Sequence, residues 1–261
     1  MDWRLFSVFS VAALSGLYTS AWGAFKDGPF EGFRARRFPR SLFFSLGLVG
    51  LTAAVPSLRT QFFALSYFQL FFFAMGLERT WSEIYKWSFR PPRDVGRFAI
   101  PQQLTLFGRS VSATGRARAG VGFALALAFG VTLTLPIASL TMWLATSFAT
   151  GLGVSMGGAY KDAPFEGFQP LKFFRSSVVL TLVAPLLWRL GALPLGMAVF
   201  VLVGIERFLV EYYKSFVLAS VPGKFRTDLV PDSRFLRIRS RYHLCAAAIA
   251  VVAVGLYGFS R

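Results

Sequence analysis

Eight stretches of roughly 20 mostly apolar residues punctuate this chain, near residues 5 to 25, 41 to 58, 61 to 84, 119 to 136, 138 to 160, 171 to 189, 191 to 214 and 241 to 258. A helix rising about 1.5 Å per residue needs about that length to cross a hydrocarbon layer about 30 Å thick. Within hydrocarbon every backbone N–H and C=O must be satisfied internally, so each stretch is read as a helix. The expected fold class is an all-α integral membrane protein with about eight transmembrane helices. The first stretch has features of a secretion signal, with Arg4 ahead of Ala12, Ala13 and Gly16. Its counterpart in the second half of the chain predicts that it is retained.

Composition agrees with that reading: 55% of residues are hydrophobic and only 15% charged, with a mean hydropathy of +0.55. Lys and Arg number 28 against 12 Asp and Glu, a formal charge of +16. In a soluble protein such an excess points to nucleic acid. Here the basic residues fall in short loops between apolar stretches, with no separate domain to present them, so anionic membrane lipid is the expected partner and nucleic acid is not. One Cys, Cys245, and one His, His243, exclude an intrachain disulfide, a Cys/His zinc site and a bis-His haem; no cofactor is expected.

Positive charge in short loops stays on the cytoplasmic side. With eight spans and both termini outside, the inward segments Lys26 to Arg40, Arg79 to Arg118, Lys161 to Arg175 and Arg207 to Arg241 hold 24 of the 28 basic residues. Arg4, Arg59, Arg189 and Arg261 remain on the outer side. The expected location is a bacterial inner membrane.

Self-comparison adds a second constraint. GAFKDGPFEGF, Gly23 to Phe33, returns as GAYKDAPFEGF, Gly158 to Phe168, with nine of eleven positions identical at an offset of 135. GLERTWSEIYK, Gly76 to Lys86, returns as GIERFLVEYYK, Gly204 to Lys214, at an offset of 128. A fainter echo pairs Gly96-Arg97-Phe98 with Gly223-Lys224-Phe225. The chain therefore reads as two four-helix membrane repeats, residues 1–136 and 137–261. Four is even, so the copies enter the membrane in the same direction, as a parallel 4+4 repeat about a pseudo-two-fold axis along the membrane normal.

Both copies keep the same charged residues. Glu78 and Glu206 lie roughly 23 to 26 Å along the third span of each half, within or at the edge of the inner hydrocarbon layer, where ionisable side chains normally face a protein interior or a wet cavity. Arg79, Glu83 and Lys86 share one helical stripe, as do Arg207, Glu211 and Lys214. Glu78 and Glu206 point about 100° away from those stripes, with Lys26 and Lys161 as candidate partners. In K-D-x-P-F-E-G-F, Asp27 and Asp162 are placed to cap a turn and Gly32 and Gly167 to bend it. The expected binding residues are Lys26, Glu31, Glu78, Lys161, Glu166 and Glu206, with Arg40, Arg79, Lys86, Arg175, Arg207 and Lys214 contacting lipid or phosphate. No metal site is expected.

These residues support a transporter-like protein whose polar site near the cytoplasmic face takes an anionic solute or a phosphorylated lipid. One alternative is a membrane-embedded lipid-headgroup enzyme, in which Asp27, Glu31, Asp162 and Glu166 could hold Mg²⁺ by carboxylates alone. Another is a non-catalytic subunit of a membrane complex, in which the loop motif locks two spans together and the Arg/Glu/Lys stripe is a salt-bridged helix end.

Overall fold

A computed structural model describes residues 3–33, 35–91, 98–100, 103–217, 225–226 and 228–258. The fold is all-α. Its helices are α1 (Trp3–Glu31), α2 (Arg40–Ala54), α3 (Pro56–Phe63), α4 (Tyr67–Ile84), α5 (Ala113–Val131), α6 (Leu140–Glu166), α7 (Pro170–Trp188), α8 (Leu195–Tyr212) and α9 (Ser233–Gly258). Among the described residues, two antiparallel pairs of two-residue strands accompany them, β1 (Thr105–Leu106) with β2 (Arg109–Ser110), and β3 (Pro136–Ile137) with β4 (Leu193–Pro194).

All eight apolar stretches fall mainly in helix, yet they are not equal as membrane spans. Among the described residues, three helices, α1, α7 and α9, are long and apolar enough to cross a membrane; α2 and α3, bent by 113° at their junction, make a fourth if counted as one broken span. The expected continuous span over 41 to 58 is therefore interrupted. Pro56 disfavours helical backbone in the residue before it, and Val55 is extended at φ −77° and ψ 112°. Among the other stretches, α4 carries Glu78, Arg79 and Glu83, α8 carries Glu206, Arg207 and Glu211, α5 opens with Arg116 and Arg118, and α6 is diluted by Gly, Ser and Thr.

The chain divides into two compact units, residues 1–78 with 228–261, and residues 79–227. The sequence boundary at Pro136 lies inside the second. In the first unit, α1 packs along both α2 and α9. Gly16 permits the α1–α2 approach: a Cβ there would stand 2.6 Å from the Leu42 Cα. Gly28 lies against the Phe235 ring of α9, which a Cβ would strike. The N–H of Asp232 donates to the Pro29 carbonyl at 2.8 Å, satisfying a carbonyl exposed by the end of α1, while the Asp232 carboxylate accepts from the Arg234 N–H at 2.8 Å. At the opposite end of α1, the Arg4 guanidinium donates to the carbonyls of Phe63 and Leu65 at 2.5 and 2.9 Å.

In the second unit the main contact is the helical hairpin α6–α7. Gly151 sits where a Cβ would come within 2.5 Å of Ser177 backbone atoms. Ser139 caps α6 by accepting from the Met142 N–H at 3.2 Å, and Ser112 caps α5 by accepting from the Gly115 N–H at 3.2 Å. Pairing of β3 with β4, together with the Gly196 N–H donating to the Leu133 carbonyl at 2.9 Å, fastens the start of α8 to the end of α5. The Tyr160 hydroxyl donates to the Thr105 carbonyl at 3.2 Å, tying α6 to the β1–β2 hairpin.

Candidate functional site

The K-D-x-P-F-E segments are the last turns of helices, with Pro29 inside α1 and Pro164 inside α6. This corrects the expectation that Asp27 and Asp162 cap a turn. The bend comes later, at Gly32 and Gly167, with φ of +73° and +78°; their N–H groups donate back to the carbonyls of Gly28 and Ala163 at 2.8 and 2.9 Å. A glycine of positive φ directly after a helix is a common stop; Gly167 combines it with an extended ψ of +164°. Beyond it, Phe33 meets Phe38 at 5.8 Å between ring centroids, and Phe168 meets Phe173 at 5.3 Å.

The Arg/Glu/Lys stripes form as their spacing requires. Glu83 accepts from Arg79 and, at 3.0 Å, from Lys86. Glu211 accepts from Arg207 at 2.6 Å, with the Lys214 ammonium at 3.9 Å. Each stripe runs into a single π-helical turn, Tyr85–Phe89 and Tyr213–Val217.

A cavity of about 650 Å³ opens inside the second unit. Its wall carries Arg79, Lys161, Lys172, Arg175, Arg207 and Lys214 against Glu83, Asp162, Glu206 and Glu211, an excess of two positive charges. Most of the acidity is engaged: Glu83 and Glu211 are held by their stripes, and Glu206, only 8% exposed, accepts from the Ser176 hydroxyl at 2.7 Å. Lys161 lies close enough to act electrostatically on Glu83. Arg175 stands over the Tyr213 ring at 5.8 Å, a cation–π distance, and its buried Nε–H has no acceptor among the described residues. The buried Ser155 hydroxyl on the same wall also lacks a partner there. Buried donors left unsatisfied by protein carry a cost that an anionic ligand or water removes.

Of the residues expected from sequence, Lys161, Glu206, Arg79, Arg175, Arg207 and Lys214 line this cavity, and Lys86 reaches it through Glu83. Lys26, Glu31, Glu78 and Arg40 belong to the first unit. There the Lys26 ammonium is 4.0 Å from the Asp27 carboxylate and Glu78 is 2% exposed. The Glu166 side chain lies outside the described residues, as do Arg34, Gly96, Arg97, Gly223 and Lys224. Among the described residues, no three His, Cys, Asp or Glu side chains gather as a ligand set.

Sequence reasoning missed Lys172 and the uncharged wall: Phe123, Ala126 and Leu127 of α5, Gly153, Val154, Gly157 and Gly158 of α6, and Val199, Phe200 and Val203 of α8. The signal available was the glycine run of α6, which in a membrane helix reads as a close-packing face. Only Gly151 packs in that way; Gly153, Gly157 and Gly158 have nothing within 4 Å of a Cβ position. Comparison with known families, curated proteins and solved structures yields no match.

Proposed function

We propose that this chain is a transporter-like multi-pass membrane protein that takes an anionic group, from a solute or a phosphorylated lipid, at a polar site near the cytoplasmic face. The observation that carries the reading is the convergence of six cationic side chains from α4, α6, α7, α8 and the π turn after α8 on one cavity whose carboxylates are largely engaged by the protein itself. An oxyanion there meets several charge-assisted donors at once.

The proposal includes eight spans arranged as a parallel duplication of a four-helix unit. It is supported by local geometry that recurs at the sequence offsets: Gly16 and Gly151 at close helix crossings, the Phe33–Phe38 and Phe168–Phe173 ring pairs, the Gly32 and Gly167 helix stops, and the two stripes with their π turns. Four of the spans would carry charged or small polar residues through the membrane, which is acceptable where those residues face protein or a wet cavity.

The test is native mass spectrometry of the purified protein, comparing wild type with a Lys161→Gln, Arg175→Gln, Lys214→Gln variant. A phosphate-bearing or other anionic compound retained by wild type and lost from the variant is expected, and its flux into vesicles containing the protein would follow. If both proteins carry the same bulk lipids, the subunit reading replaces this one.

A further inference from the structure

The cavity is charged at one end and apolar along the rest, and this narrows the anion to one class. Along α8 and the π turn that follows it, the lining residues change from Val199 and Val203 to Arg207 and Lys214; on α6 they change from Gly153 to Lys161. The stretch from Val199 to Lys214 covers roughly 22 Å of helix. A small soluble oxyanion would use only the charged end, and an apolar wall beside it would add desolvation cost without adding contacts. The volume also exceeds what a lone phosphate needs and falls in the range of sites that enclose a drug-sized molecule. Packing does not account for the apolar part, because the bare glycines of α6 keep that space open instead of admitting a neighbouring helix.

Building on the anion reading above, we propose that the ligand is a phosphate-bearing amphiphile: its phosphate lies among Lys161, Arg175 and Lys214, and its hydrocarbon chain runs past Gly153 and Val203 toward Phe123. A chain in this position exchanges one apolar environment, the bilayer, for another. Discrimination against neutral lipid then comes from the phosphate, and discrimination against soluble phosphates from the chain.

The experiment uses the full chain in nanodiscs of neutral phosphatidylcholine, titrated with mono-octanoyl glycerol phosphate, glycerol 3-phosphate and mono-octanoyl glycerol. Tryptophan fluorescence is the readout, with Trp87 in the cavity wall as reporter and empty nanodiscs and Trp87→Phe as controls. The acyl phosphate is expected to bind at least ten-fold more tightly than either half-molecule. Gly153→Leu, at a position where a Cβ has nothing within 4 Å and a longer side chain enters the apolar part of the cavity, should remove that advantage and leave glycerol 3-phosphate binding unchanged. Equal binding of glycerol 3-phosphate and the acyl phosphate, with Gly153→Leu silent, would overturn the amphiphile while leaving an anion site intact. Equal binding of the neutral acyl glycerol would overturn the phosphate. If neither phosphate probe distinguishes wild type from the Arg175→Gln, Lys214→Gln variant, the anion reading itself fails.

Discussion

A methyl group added at Gly151 would stand 2.5 Å from Ser177 backbone atoms, whereas one added at Gly157, less than two turns further along α6, would meet nothing within 4 Å. The same residue type therefore serves two purposes on one helix, close approach to α7 at the first position and an open cavity wall at the second. Backbone cannot move aside as a flexible side chain can, so Gly151→Ala is expected to destabilise the protein by about 1–3 kcal/mol. Gly157→Ala should be neutral or stabilising by up to about 1 kcal/mol, because Ala is the better helix former. Thermal unfolding in one detergent checks both; equal losses would mean that Gly157 packs as tightly as Gly151.

The ends of α1 and α6 show how far the sequence determines its elements. A proline three residues before the terminal glycine removes one N–H from the final turns, and the glycine then leaves the helix with positive φ. Gly167 takes φ +78° and ψ +164°, a region open essentially to glycine alone. Gly167→Ala should therefore cost about 1–3 kcal/mol, seen as a lowered unfolding midpoint, even though a Cβ has ample room there. The helix positions, the glycine bends and the two salt-bridged stripes were legible because each depends on residues within a few positions of one another. The break at Val55 was signalled by Pro56 but hidden by the apolar run around it. The uncharged half of the cavity was not legible, since a small residue facing a void and one facing a neighbouring backbone give the same periodicity. Nor could spacing show that Arg79 and Arg207 line the same cavity as Lys161; that depends on how helices distant in sequence assemble.

At the scale of the whole molecule, the proposed topology places every repeated charged motif on one side of the membrane, which the positive-inside rule assigns in that proposal to the cytoplasm. Among the described residues, the helices apolar enough to span give three crossings, or four if the bent pair α2–α3 is one span, and a chain crossing so few times would put some of these loops on opposite sides. Single cysteines can decide between the two. In a Cys245→Ala background, which removes the native exposed thiol, cysteines are placed one at a time at Phe107, Phe168, Leu135 and Ala192, all exposed. With eight spans, a membrane-impermeant maleimide added to intact cells should label Leu135→Cys and Ala192→Cys, whereas Phe107→Cys and Phe168→Cys should react only after the membrane is opened. Labelling of Phe107→Cys in intact cells would break the topology of the first half, and labelling of Phe168→Cys that of the second. The consequence reaches the site directly, because Phe168 and Lys161 border the same cavity. If Phe168→Cys reacts from outside, the anion is received at the outer face, and if Phe107→Cys stays protected in the same cells the duplication cannot be parallel.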